Sequence, residues 1–162
     1  MGSKIISVKN IISLLLIITS FSLDRISKLK VVNDQLNIDR SVFINDYLNI
    51  DLTWNTGIGF GLLNLQSGMV YNLISAVITL VILIIILLLI KTNKKDSFFY
   101  SIIVGGALGN LYDRLSYFAV PDFIDIHVAN YHWFTFNIAD IFISIGIIGL
   151  ILNEVSFKNE KK

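Results

Sequence analysis

Cysteine is missing from this chain of 162 residues. Its absence excludes disulfide frameworks, thiolate metal sites and cysteine nucleophiles together. Charge is scarce as well: 15% of the residues are Asp, Glu, Lys or Arg against 54% hydrophobic, and the mean hydropathy is +0.72. That balance belongs to membrane proteins and not to soluble domains. The net charge of +1 gives no reason to expect a nucleic-acid partner or a polybasic membrane tail. A phosphate loop is lacking too. The glycines at 57, 59 and 61 in NTGIGFGLL are followed by no Gly-Lys-Ser/Thr, and their spacing suits a close backbone approach or a bend. There is no plausible Ser-His-Asp set.

What is present is a series of apolar runs. The clearest, Val70 to Ile90, carries no charge and is long enough to cross a hydrocarbon core of about 30 Å as a helix. Three others turn polar at one end: Ile11 onward reaches Asp24, Arg25 and Lys28; Ser97 to Tyr112 meets Asp113-Arg114; and the last run carries Asp140 in its opening turns. The pattern predicts a single membrane domain, a four-helix transmembrane bundle, with helices over about 10–32, 70–90, 97–115 and 136–154 and outer loops over 33–69 and 116–135. A cleaved secretory signal is the weaker reading of the first run, since no A-x-A site follows it.

The lysines orient the bundle. Lys4 and Lys9 precede the first helix, Lys91, Lys94 and Lys95 lie between the second and third, and Lys158, Lys161 and Lys162 follow the fourth. Four spans put all three groups on one side, which the positive-inside rule makes the cytoplasm, with both termini there. Asp24, Asp113 and Asp140 then fall together at the outer interface.

In the first outer loop, Leu48, Ile50, Leu52 and Trp54 alternate with Asn49, Asp51 and Thr53. This is the period of a half-buried strand, with Ser41 to Asn45 as its partner and the apolar residues facing inward on the membrane surface. In the second, Pro121 forces Val120 to be extended and ends the preceding helix. Along an extended VPDFIDIH, Asp122 and Ile124 face one way and Phe123 and Asp125 the other. His127 and His132 are a weak pattern for zinc, solvated histidines being the commoner state.

Each polar residue also has a structural reading. Asp24 and Lys28 are spaced as an i,i+4 ion pair. Asn110 follows GGALG, whose small residues permit close helix contact, and serves equally as packing glue; Asp113-Arg114 serves equally as an interfacial anchor. Asn55 shapes a turn. Asn137 is placed to cap the fourth helix, with Asp140 at the third helical position receiving backbone donors. Capping does not account for carboxylates and amides gathering at the outer ends of three helices and in both outer loops. A central Asp costs about 2.5–3.5 kcal/mol on insertion scales, so convergence of this kind points to function. The available chemistry is that of carboxylates, one as base on a water and one as acid. Spacing alone leaves the pair open among Asp24, Asp113, Asp122, Asp125 and Asp140. A proton-coupled transporter relaying through Asp24 and Asp140 needs polar groups deep in the membrane, which Val70 to Ile90 barely offers. A non-enzymatic scaffold predicts that neither Asp matters.

Five stretches, DRISK at Asp24, NTGIGF at Asn55, GGALGNLYDR at Gly105, VPDFI at Val120 and FNIAD at Phe136, together resemble the lipoprotein signal peptidase family, the type II signal peptidases of bacteria. The resemblance runs from residue 24 to 140. It implies an aspartic endopeptidase of the inner membrane that works without cofactor or metal. Such an enzyme removes the signal peptide from diacylglyceryl-modified prolipoproteins, cutting before the lipidated Cys, with lipid-modified prolipoprotein and membrane lipid as partners, as a monomer and at the periplasmic side. It also implies a small extracytoplasmic β-sheet and a periplasmic helix or loop arm. Carried over by motif, Asp122 and Asp140 are the catalytic pair. Asn55, Asn110, Arg114 and Asn137 match positions around the substrate, and Asp24, Lys28 and Asp113 match supporting ones. Arg25 stands where Gln is usual in the family, Ile58-Gly59 where two small residues are common, and Pro121 where Val is typical.

Overall fold

Four long helices and a small antiparallel sheet make up the structure, a computed structural model that describes residues 7–38, 41–57, 68–92, 94–129 and 131–159. Helix α1 spans Val8–Ile38, followed by β1 (Val42–Asn45) and β2 (Leu48–Asn55). Then come α2 (Gly68–Lys91), α3 (Lys94–Tyr117), β3 (Val120–Val128), β4 (Tyr131–Phe136) and α4 (Ile138–Asn159). Of the glycine-spaced stretch expected to bend at a rim, residues 58–67 lie outside the described residues, as do Lys4, Arg40, Lys161 and Lys162.

Among the described residues, three helices are long and apolar enough to cross a membrane: Val8–Asp34, Gly68–Lys91 and Ile138–Ser156. Helix α3 is not one of them, because Lys95, Asp96, Asp113 and Arg114 lower the hydropathy of its ends. It is the hub instead, packing against α1, α2 and α4. Its glycines make that possible. A Cβ at Gly105 would lie 2.7 Å from the Ile17 carbonyl oxygen of α1, and one at Gly106 would lie 2.6 Å from the Ala139 carbonyl oxygen of α4. The other helices bury only narrow seams. In α2 the buried residues are Tyr71, Ser75, Ile82 and Leu89, while Leu73, Leu80, Leu87 and Ile90 are exposed. Apolar side chains turned outward on this scale suit a hydrocarbon solvent.

The ends of the bundle differ in charge. Lys9 Nζ donates to the carbonyl oxygens of Leu89 (3.1 Å), Ile90 (3.1 Å) and Thr92 (3.0 Å). A cation thus caps the C-terminus of α2, where orphan carbonyls and the dipole favour it. Asp24, Asp113 and Asp140 gather at the opposite end, beside the sheet.

The sheet has the order β1-β2-β3-β4, antiparallel throughout. The expected pairing of the first loop is present: Val42 faces Ile50 and Phe43 faces Asn49. Leu48, Ile50 and Leu52 are half-buried as the alternation predicts, and Trp54 is 44% exposed, edge-on to Tyr117 at 5.8 Å. The extended run of the second outer loop is β3, and β4 pairs with it as a hairpin. Pro121 is tolerated in β3 because β4 begins its pairing only at Ile124, so the missing N–H breaks no ladder on that side. Phe118, with φ 55°, occupies the left-handed position that turns α3 into β3.

Candidate active site

Four elements bring their polar groups to one place. Asn55 ends β2, Asp122 sits near the start of β3, Asn110 and Arg114 lie on the last turns of α3, and Asn137 links β4 to Asp140 on α4. The register explains the first contact: Thr53 is paired with Asp122 and Asn55 with Val120, so Asn55 reaches Asp122 diagonally. Asn55 Nδ2 donates to Asp122 Oδ2 at 2.8 Å, and Asn137 Nδ2 donates to Asp122 Oδ1 at 2.6 Å.

Asn137 also starts α4. Its Oδ1 accepts from Asp140 N at 3.1 Å, and Asp140 Oδ2 accepts from Asn137 N at 3.1 Å. This reciprocal capping box satisfies two orphan donors and fixes Asp140 at the first turn. Asn137 therefore touches both carboxylates at once. Asp140 Oδ1 in turn accepts from Asn110 Nδ2 at 2.9 Å.

Behind this pair lies a fully buried ionic cluster. Lys28 Nζ is 2.8 Å from each of three oxygens: Asp24 Oδ2, Asn110 Oδ1 and Asp113 Oδ2. It donates to Asp24 Oδ2 and Asn110 Oδ1, and Asp113 Oδ2 faces it as an ion pair without a hydrogen bond, so two carboxylates compensate the buried ammonium. Asp24 Oδ1 accepts from Ala139 N at 3.0 Å, a second tie on the opening turn of α4. The i,i+4 pair read from the sequence thus has a further job, holding α4 in place. Arg114 donates to the Gly57 carbonyl and lies over the Tyr71 ring, 5.6 Å from its centroid, while Tyr71 Oη donates to the Arg114 carbonyl at 3.2 Å.

A cavity of about 330 Å³ opens onto Asn55, Asn110, Arg114, Asp122, Asn137 and Asp140. Its remaining wall is apolar, with Ile78, Ala107, Ile143 and Ile147. Burial pushes the Asp122 carboxyl up to about 6; the hydrogen bond from Asn55 opposes this and the Asp140 charge adds to it. A carboxyl of that kind can hold or release a proton near neutral pH, as acid–base work requires.

All nine residues singled out from the sequence lie in this region. Asn55, Asn110, Asn137, Asp122, Asp140 and Arg114 line the cavity, and Asp24, Lys28 and Asp113 stand behind it. Two neighbours were given no site role from the sequence. Arg25 forms an ion pair with Asp113 and lies 4.6 Å from the Tyr112 ring centroid. Tyr71 supports Arg114; the one tyrosine in the uncharged run of α2 was the available signal. Asp125, by contrast, faces away from Asp122 as the strand period required, toward His127 and His132. That trio is the one group of three or more potential metal ligands among the described residues.

Two carboxylates, amide donors around them and an apolar wall beside them make a site of the aspartic hydrolase class, set in a bundle of membrane type. The sequence model described as Signal peptidase (SPase) II matches residues 16–156, and the chain belongs to that family. It is 44% identical over 160 residues to the lipoprotein signal peptidase of Pelagibacter ubique (strain HTCC1062), covering 96% of this chain and 95% of the relative. It is 39% identical over 154 residues to that of Anaplasma phagocytophilum (strain HZ), covering 94% and 97%. A solved structure described as a bacterial membrane enzyme, determined by the in meso method, superposes with a TM-score of 0.75 at 28% identity, over 93% of this chain and 91% of that one. The chain is an aspartic peptidase that cleaves signal peptides from prolipoproteins.

Proposed function

We propose that Asp122 and Asp140 are the catalytic pair of this peptidase, and that it cuts diacylglyceryl-modified prolipoproteins N-terminal to the lipidated Cys. The observation that carries this reading is Asn137, which donates to Asp122 at 2.6 Å and shares a capping box with Asp140 at 3.1 Å, so that both carboxylates face one cavity. Asp140, at a helix N-terminus with a backbone and an amide donor, is the ionised partner; Asp122, pushed up by burial, keeps the shared proton. Asp140 takes a proton from a water that attacks the scissile carbonyl. Asp122 gives its proton to the carbonyl oxygen; as the tetrahedral intermediate collapses, Asp140 passes the water's proton to the leaving amine and Asp122 recovers one from the gem-diol hydroxyl.

Asn55, Asn110, Arg114 and Asn137 bind the peptide around the scissile bond, while the apolar wall from Ile78 to Ile147 takes the apolar part of the signal peptide. Asp24, Lys28 and Asp113 support the site. Four spans, with α3 shielded by the other three helices, place the lysine end in the cytoplasm with both termini. The sheet and site then sit at the periplasmic face of the bacterial inner membrane, and the lipid stays in the bilayer during cleavage. One chain supplies the whole site, which favours a monomer.

The test is purified protein mixed with a lipidated prolipoprotein. The expected result is a mass loss equal to the signal peptide, abolished in Asp122→Asn and in Asp140→Asn with folding intact. Full activity in Asp140→Asn overturns the assignment.

A further inference from the structure

The face of β3 turned away from the catalytic pair carries an arrangement that peptide cleavage does not use. Asp125 and His127 stand two residues apart on that strand and are both buried, at 3% and 6% exposure. His127 is paired in register with His132 of β4, and the two rings stack with centroids 5.3 Å apart. Asp125 Oδ2 lies 2.7 Å from His132 Nδ1 and 3.6 Å from His127 Nδ1. One ligand atom from each of the three residues falls within 4.8 Å of the others.

Two of these buried groups lack a counterpart. Asp125 Oδ1 and His127 Nδ1 have no hydrogen-bond partner, nor has Asn49 Oδ1, on the residue paired with Asp125 in β2. A buried polar atom without a partner is costly, and His127 Nδ1, beside Asp125 and His132, is one that a bound ion would satisfy. We propose that Asp125, His127 and His132 form a binding site for a divalent transition-metal ion, zinc above all, that clips β3 to β4.

The chemistry fits zinc. Two imidazoles and one carboxylate are a common zinc donor set, and bonds of about 2.0–2.1 Å place tetrahedral ligand atoms about 3.3 Å apart. The distances of 2.7 and 3.6 Å bracket that value. The three ligand atoms lie within 4.8 Å of one another, and His132, whose side chain is 58% exposed, is the ligand with space to adjust. His132 binds through Nδ1 with its proton on Nε2, so any proton on Nδ1 is released on binding. Its exposure also gives the ion a way in and leaves the fourth position to water. The clip spans a hairpin turn in which Ala129 sits at φ 53°, a conformation L-residues seldom adopt. It lies three residues along the same strand from Asp122, so occupancy stiffens the strand that carries one of the catalytic pair.

The test uses the full chain in detergent micelles, stripped with chelator and free of any histidine tag. Zn²⁺ is titrated by calorimetry, and Co²⁺ by the visible absorption of its low-coordinate complexes. The expected result is one equivalent bound, with affinity at least about 100-fold weaker in His132→Ala and in Asp125→Asn, since loss of even an outer partner costs about 10–100-fold. Zinc should raise the melting temperature of the parent chain and leave that of His132→Ala unmoved. His132 is exposed, so its variant keeps the fold, which its melting curve without metal checks. Absence of saturable binding overturns the proposal. So does binding of equal strength in His132→Ala, or binding that disappears in Asp140→Asn and survives in His132→Ala.

Discussion

Replacing Asn55 by alanine should make the enzyme work at higher pH even as it lowers the overall rate. Asn55 is buried, and its Nδ2 donates to Asp122 Oδ2 at 2.8 Å. That bond favours the ionised carboxylate and partly offsets the burial that has raised Asp122 to about 6. If the active form carries one proton on the pair, loss of the Asp122 proton sets the alkaline limb of the pH profile. Removing a donor to a charged group costs about 1.5–3 kcal/mol, and about 1.36 kcal/mol corresponds to one pKa unit. Water entering the space left by the side chain returns part of this, so the lower end applies: the limb moves up by about one unit. The assay is kcat/KM for a lipidated prolipopeptide from about pH 4.5 to 9, which reports the free enzyme. An alkaline midpoint that stays in place or falls, whatever happens to the maximum rate, refutes the assignment of the proton to Asp122.

Three further outcomes follow from contacts already described. Lys28→Met leaves Asp24 and Asp113 buried with the ammonium gone, and should cost about 3–5 kcal/mol, read as a large drop in melting temperature; Asp24→Asn in the same chain should recover part of it. Gly106→Ala sets a Cβ 2.6 Å from the Ala139 carbonyl oxygen and must push the first turn of α4 away from α3. Since a misplacement of about 1 Å can cost about 100-fold, its kcat should fall steeply. In Gly149→Ala the added Cβ meets the Phe99 ring, about 13 Å along α4 from Asp140, so a comparable loss of kcat there would contradict the positional argument.

The capping box of α4 is legible in the sequence because it is local: Asn137 and Asp140 are three residues apart, and the geometry of a helix start leaves little choice. The same holds for the Asp24–Lys28 pair and for the alternation of β2. The β3–β4 hairpin is less visible. Val120, Pro121, Asp122 and Phe123 are all buried, so both faces of the strand are covered, the period of two is blurred and Pro121 dominates the reading. Helix α1 runs to Ile38 where the apolar pattern predicts an end near 32, since its last turns leave that pattern. The Arg25–Asp113 and Lys28–Asn110 contacts join residues 88 and 82 apart in sequence, and only packing of α1 on α3 through Gly105 and Gly109 brings them together. Asp125, His127 and His132 become a cluster for a similar reason, the register of a hairpin that residue spacing alone does not reveal.

The three asparagines of the site have their orientations decided. Asn55 Oδ1 accepts from Gly57 N, Asn137 Oδ1 from Asp140 N, and Asn110 Oδ1 from Lys28 Nζ. Each therefore turns its NH₂ toward a carboxylate, and none can flip without stranding a donor. At these three contacts the carboxylates of Asp122 and Asp140 meet N–H donors and no lone pair. In the proposed mechanism, a proton shared by the pair finds no acceptor in these amides and is left to the other carboxylate or to the cavity. The amides thus act as a wall that turns a spent acid toward the substrate or the water beside it.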